Sequence, residues 1–289
     1  MGGGEVIAAV IAKPERVRAV AEVFKELGLG GVRVFEDRDP QMLVAREVCG
    51  LCGTMCVAIL TVNAIVSYML EVRGEEFWQA LANHVRGRGC PKDHGEVVEL
   101  IKSFTLRYNR RFLNAKLGRL RRLKACPQIT DAALRGDLRA LWKSIASCLG
   151  SDREAKTVVF AVKMAYYGLR ASGKHVEAPA EIPIPVDFRV ARITYLSQMV
   201  DVKAEAPSNA AQALMRRPQV VRRTWYEVSR LSGIPSLNLD APIWVIGRYV
   251  ELGRKSSVVK ALRKAGITNH LEEDVIKHLI GELLYLLPD

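Results

Sequence analysis

Two prolines one residue apart, Pro183 and Pro185 in the segment EIPIPVDFRVARITYL (181 to 196), leave the backbone little choice. Each ring locks φ and removes a backbone N–H, and each disfavours helix at the residue before it, so the segment runs extended and a helix restarts beyond it. Asp187 is the natural N-cap of that restart, with its carboxylate near the free amides of the first turn. Upstream, CLGSDREAKTVVFAVKMAYYGL (148 to 169) reads as a turn at Gly150, followed by a cap at Ser151. Glu154, three residues on, completes a capping box, and Lys156 falls in the first or second turn of the new helix. Lys156, Phe160, Lys163 and Tyr167 then recur at the three- and four-residue spacing of one helical face. A lysine near one helix start is followed, one helix and one loop later, by an aspartate at the next.

That order suits a specific chemistry. A lysine amine attacks carbon only when neutral, and a helix N-terminus beside Val158, Val159 and Phe160 disfavours its ammonium form. Breaking a glycosidic bond builds positive charge on the sugar, which a fixed carboxylate stabilises while a nucleophile takes the anomeric carbon. Lys156 fits the nucleophile and Asp187 the carboxylate. Spacing alone equally allows a solvated helix lysine and an ordinary helix cap.

The wording of these segments goes further. Gly150 followed by Lys156, then PVDFRVAR with Asp187, resembles the helix-hairpin-helix DNA glycosylases with a Gly/Pro-Asp motif, whose bifunctional members use the hairpin lysine and the aspartate. REAKTVVF (153 to 160), IPIPVDFRVAR (182 to 192) and LDAPIWVIGRYV (239 to 250) resemble, more closely, the archaeal 8-oxoguanine DNA glycosylases, DNA lyases of thermophiles. DRDPQ (37 to 41) and GEEFW (74 to 78) agree, so the resemblance runs from about Asp37 to Val250. The hairpin segment LGSDREAK is longer than the LPGVGTK pattern of the wider superfamily, and that spacing fits the archaeal subgroup.

Composition sets outer limits. The 289 residues, 49% of them hydrophobic, can bury a full core as one domain or two closely packed lobes. The formal charge of +12 favours a polyanionic partner, because phosphates are bound largely through lysine and arginine with release of counterions. No apolar run is read as long enough to cross a membrane, and MGGGEVIAAVIAKPERV has no basic segment ahead of a long apolar one, so a cytoplasmic, nucleoid-associated protein without a signal peptide is expected. Of the six cysteines, CGLCGTMC (49 to 56) could suggest a metal or iron–sulfur site. It lacks a clear fourth ligand nearby and alternates with Leu51, Met55 and Val57, so these cysteines read as small buried hydrophobes and no metal is expected. Disulfide bonding is the alternative, and spacing does not fix the pairing.

Along the chain, helix follows helix. PERVRAVAEVFKELG (14 to 28) carries Val17, Val20, Ala21, Phe24 and Leu27 on one stripe and ends on glycine. Asp39-Pro40 starts a second helix through Cys49, and Thr54 to Val72 reads as a long apolar helix at the centre of a first lobe. The basic run RYNRRFLNAKLGRLRRLK (107 to 124) places Arg107, Arg110, Arg111, Lys116, Arg119, Arg122 and Lys124 around a helix whose apolar stripe is Leu113, Leu117 and Leu120, the pattern of a solvated face. Beyond Asp187, helices are expected near 188 to 199, 208 to 216, 218 to 231, 241 to 252, 256 to 265 and 271 to 286. Strand-type alternation is confined to short pieces such as GVRVF, so the fold class is all-α. The resemblance implies a single glycosylase domain of two helical lobes with a cleft between them. The N- and C-terminal segments share one lobe, and the hairpin and aspartate loop span about 136 to 200.

The resemblance also implies a site. A base cannot be attacked at its sugar while stacked, so such an enzyme flips the nucleotide into a pocket. Trp78 and Trp244 are the stacking candidates, Gln41 offers a donor and an acceptor, and Asp240 accepts from the base N–H groups, with Ser67, Phe160 and Lys163 as further base-binding candidates. The backbone amides of Leu149, Gly150 and Ser151 are expected to receive a DNA phosphate. The implied activity is excision of 8-oxoguanine through a Lys156 Schiff base, with Asp187 assisting and β-elimination cutting the strand. No cofactor is needed. The partner is damaged DNA, single- or double-stranded, met by a monomer. A glycosylase of the same class for another damaged base, or a noncatalytic nucleic-acid-binding helical protein, are the alternatives.

Overall fold

The computed structural model describes residues 11–203 and 206–289, and the fold is all-α, as the periodicity predicts. In chain order the helices are α1 (Pro14–Arg38), α2 (Pro40–Cys52), α3 (Cys56–Val66), α4 (Gly74–Arg88), α5 (His94–Tyr108), α6 (Leu113–Lys124), α7 (Gln128–Arg135) and α8 (Leu138–Leu149). They continue as α9 (Lys156–Ala171), α10 (Phe188–Leu196), α11 (Pro207–Met215), α12 (Pro218–Ser232), α13 (Ser236–Gly247), α14 (Lys255–Lys264) and α15 (Glu273–Leu283). Among the described residues the strand content is one antiparallel pair, β1 (Ile11–Ala12) with β2 (Val200–Asp201).

The chain divides into two compact units. One joins the chain through Arg38 to Val186–Asp289, and the other is Asp39–Pro185. In the first, α1 packs on α12, α13 and α15, and α10 packs on α11 and α13. Phe24 meets Trp225 edge-on at 6.2 Å, and the Trp225 indole N–H donates to Thr194 Oγ1 at 2.8 Å, so a buried aromatic pair keeps its one polar group satisfied. In the second unit α3 is the centre, buried along its whole length and packed most extensively on α9. Gly168 of α9 permits that contact, since a Cβ there would lie 3.0 Å from Val57 Cα. Because that touch point is early in α3 and late in α9, contact along the full length of both requires an antiparallel pair. The C-terminal end of α3 therefore lies beside the Lys156 end of α9.

Several boundaries differ from expectation. The helix starting at Pro14 runs on through GVRVF to Arg38, with the break at Gly28, whose φ of 64° marks a kink inside it. The central apolar helix is shorter than Thr54 to Val72 because Gly53, at φ 55°, interrupts it before Cys56 and it ends at Val66. The stretch Pro40–Val66 also corrects the expectation about membrane length: by length and composition it could cross a bilayer. It is mostly buried in the second unit, where α2 and α3 form core. The cysteines are not isolated hydrophobes. All six are paired, as Cys49–Cys56, Cys52–Cys90 and Cys126–Cys148.

Candidate active site

At the hairpin the capping box does not form. Gly150, at φ 58°, closes α8 in the left-handed conformation that glycine adopts at no steric cost, and Ser151 N–H donates back to the Ala146 carbonyl at 3.0 Å. The expected phosphate amides of Leu149, Gly150 and Ser151 are thus absorbed: Leu149 lies within α8, and Gly150 N–H also bonds the helix end. Asp152, not Ser151, shapes the turn, its Oδ1 accepting from Glu154 N–H at 2.9 Å. The Trp142 indole fixes it further by donating to the Arg153 carbonyl at 2.7 Å. α9 then begins at Lys156 without a side-chain cap, and within its first turn Val158 N–H turns back to the Ala155 carbonyl at 2.9 Å.

Lys156 is exposed, whereas Val158 and Val159 point into the core, so those valines do not desolvate the amine as expected. The face identified in sequence is graded along its length. Phe160 is half-buried, and Lys163 and Tyr167 are buried. Phe160 meets Trp78 edge-on at 6.0 Å, and Trp78 in turn meets Phe77 at 6.1 Å. Trp78 is only 2% exposed, walled by this cluster. Lys163 Nζ lies 3.3 Å from Asp39 Oδ2, to which the Tyr167 hydroxyl also donates at 2.9 Å. Asp39 Oδ1 accepts from the Gln41 N–H at 2.9 Å, capping α2. Gln41 is buried, and its side-chain Oε1 has no hydrogen-bond partner, a state that costs about 1–3 kcal/mol unless something completes it. Ser67, half-buried, ends α3 and donates to the Asn63 carbonyl at 2.7 Å. The second unit thus gathers Gln41, Trp78, Phe160 and Lys163 around the first half of α9, and the end of α3 brings Ser67 toward the Lys156 end.

The first unit holds the remaining candidates. Asp187 is the N-cap of α10, extended as the two prolines require, with Oδ1 accepting from Val190 N–H at 2.9 Å. One carboxylate oxygen is thereby fixed. Asp240 and Trp244 are buried on α13, within one turn of each other around Pro242. The guanidinium of Arg189, two residues past Asp187, stacks over the Trp244 ring at 3.9 Å, and Arg248 lies 5.9 Å from the same ring. The Arg189 stem runs along Gly247, 3.5 Å from where a Cβ would stand, an ordinary van der Waals distance. Asp39 and Arg189 touch the candidate residues without having been singled out in the sequence. Asp39 had a signal, since Asp-Pro before a helix marks a cap; the position of Arg189 over Trp244 depends on how α10 meets α13.

A family model described as AGOG, N-glycosylase/DNA lyase, matches residues 21–277. The chain belongs to the AGOG family of N-glycosylase/DNA lyases. Among curated relatives, the family member is similar to the N-glycosylase/DNA lyase of Pyrobaculum aerophilum, with 32% identity over 252 residues covering 84% of this chain and 90% of the relative. The N-glycosylase/DNA lyase of Aeropyrum pernix is 34% identical over 245 residues, covering 81% of this chain and 83% of its own. A solved structure, the 8-oxoguanosine complex of an 8-oxoguanine DNA glycosylase from Pyrobaculum aerophilum, aligns with a TM-score of 0.74 and 25% identity, covering 93% of this AGOG chain and 97% of that one.

Proposed function

We propose that the protein is a bifunctional 8-oxoguanine DNA glycosylase and lyase, acting as a monomer on damaged DNA with Lys156 as nucleophile and Asp187 as its electrostatic partner. The observation that carries the substrate is the likeness, over nearly the full length of both chains, to a glycosylase solved with 8-oxoguanosine. The site residues support it. Trp78, Phe160 and Trp244 offer aromatic surface, while Gln41 Oε1 is a buried acceptor with no hydrogen-bond partner among the described residues. An oxidised purine carries an N–H where guanine has an acceptor, and such an acceptor suits it.

In this mechanism Lys156 Nζ bonds to the sugar C1′ as the bond to the base breaks. The base leaves with the electron pair and takes up a proton. Asp187 stabilises the positive charge that develops on the sugar. The adduct nitrogen gives up a proton, the C1′–O4′ bond then breaks with O4′ keeping the electron pair and taking up a proton, and the protonated imine that results loses a proton from C2′ and expels the 3′ phosphate. The Lys156 and Thr157 amides at the start of α9 and the Asp152–Arg153 turn, rather than Gly150 and Ser151, would hold a backbone phosphate.

Borohydride trapping on a duplex with one 8-oxoguanine tests this. Wild type forms a covalent adduct, Lys156→Ala forms none, and an unchanged adduct in that variant removes the lysine from its role. Asp187→Asn keeps a side chain that caps helices as well as aspartate does, so a slower base release reads the lost charge and not a lost cap. Excision of a damaged pyrimidine in preference to 8-oxoguanine would transfer the protein to another lesion.

A further inference from the structure

Lys156 stands at the end of an exposed turn. Asp152, Arg153, Glu154 and Lys156 are all exposed, and Ala155 N–H donates to the Asp152 carbonyl at 3.1 Å within the turn itself. Bonds of that reach set the shape of the turn but not where it stands on the protein. Two helices supply the placement. From α8, the half-buried Trp142 donates its indole N–H to the Arg153 carbonyl at 2.7 Å, three residues before Lys156. From α6, Arg122 Nη1 donates to the Leu149 carbonyl at 3.0 Å, and Cys126, just beyond that helix, is bonded to Cys148 in the last turn of α8. α6 packs on α8 far less extensively than α3 packs on α9, so the cross-link and the arginine carry much of that junction. The cross-link is also within reach. Cys49 and Cys56 are buried, whereas Cys126 and Cys148 are half-buried and open to a small dithiol. Cys52–Cys90 is open as well, but it joins the end of α2 to the segment after α4 and not the two helices that hold the turn.

We propose that Trp142 and Arg122 are positioning residues for Lys156, and that the Cys126–Cys148 bond makes this placement redox-sensitive, so that a dithiol which opens it slows Schiff-base formation. The inference rests on the functional reading above. A thiolate of the dithiol attacks one cysteine sulfur, the S–S bond breaks, and the other sulfur leaves as a thiolate and takes up a proton. The second thiol of the reductant, deprotonated, then displaces the first cysteine, leaving an oxidised dithiol and two cysteine thiols. With the bond open, the end of α8 is free to shift against α6 and carries the turn with it. A nucleophile has to stand about 3–3.5 Å from the atom it attacks, and a misplacement of about 1 Å costs up to about a hundredfold in rate. Gln41, Trp78 and Lys163 ride on α2, α4 and α9, which this bond does not join, so the loss falls on the chemical step more than on binding.

The experiment measures adduct formation on a duplex with a preformed abasic site at saturating enzyme, trapped with cyanoborohydride, which spares disulfides. Affinity for a duplex with a reduced abasic site is measured beside it, at a temperature where circular dichroism shows every form folded. Wild type treated with dithiothreitol and then freed of it under argon should form the adduct about tenfold more slowly than oxidised wild type, with affinity changed by about twofold or less. Cys126→Ser/Cys148→Ser should match the reduced wild type and ignore dithiothreitol, whereas Cys52→Ser/Cys90→Ser should keep the full response. Trp142→Phe keeps a ring and loses the donor, so its adduct should form about fivefold more slowly at unchanged affinity. Wild type that forms the adduct at one rate in both redox states overturns the proposal. So does a rate that falls only in step with affinity and melting temperature, which assigns these contacts to stability alone. Oxidised wild type that forms no adduct at all is a different failure, since it removes Lys156 from its role and sinks the functional reading with everything built on it.

Discussion

Lys116 should make the stability of the protein rise in alkali. Its side chain is fully buried, held by Asn109 and Tyr68 without a carboxylate in contact, and burial pushes its amine from 10.5 down to about 8, with Glu71 opposing the fall and Arg111 adding to it. Below pH 8 the amine is charged in both the folded and the unfolded chain, and the fold carries the full cost of keeping an ammonium out of water. Between pH 8 and 10.5 the folded form has lost its proton while the unfolded chain still holds one, so the unfolded state binds more protons and stability climbs with pH. A gap of that size corresponds to about 3 kcal/mol, of which about 1 kcal/mol should be recovered between pH 7 and 9 and about 2.5 by pH 10. The assay is urea unfolding of wild type and Lys116→Met at pH 7, 9 and 10. Other groups titrate in both proteins and cancel in the difference. The wild type should gain on the variant by those amounts, and a difference that stays flat from pH 7 to 10 would falsify the burial of this amine in the core.

Reducing the cross-links should destabilise the Asp39–Pro185 unit selectively, since all three lie in it; loop-closure entropy gives about 4 kcal/mol for Cys52–Cys90 and about 3 kcal/mol for Cys126–Cys148, read as the shift in denaturant midpoint with and without a phosphine reductant. Gly168→Ala places a methyl 3.0 Å from Val57 Cα and 3.2 Å from Leu60 Cδ1, and the forced separation of α3 and α9 should cost about 1–3 kcal/mol in thermal unfolding. Arg189→Met retains an aliphatic cover on Trp244 but removes the cation; excision kcat/KM should fall about fivefold with little change in melting temperature, the worth of about 1 kcal/mol of cation–π attraction.

Much of the fold was legible because its signals are local. Pro183 and Pro185 forced the extended approach to α10, Asp187 capped it as its neighbours demanded, and the stripe on α1 ran to the residues that became core. Trp78 was found through a segment that resembles a family, Phe160 and Lys163 fall on the helical face that spacing marks, and the structure places all three in one unit. What failed depended on partners far away in sequence. Lys116 sits in a basic run that reads as a solvated face, yet Tyr68 and Asn109 draw it inside. The disulfide pairing follows from how α2, α4, α6 and α8 end near one another, which no spacing encodes. Ser151 looked like a cap, but Gly150 had already committed the next amide to closing α8.

Asp39 shows what such economy entails. One of its oxygens starts α2, and the other is reached by Lys163 and Tyr167 beside the base-binding candidates. A serine or asparagine there would satisfy the helix and withdraw the anion, so a change that a stability engineer would regard as neutral would strip Lys163 and Tyr167 of their shared carboxylate. Secondary structure and chemistry at this position share a single atom group, and neither can drift without the other.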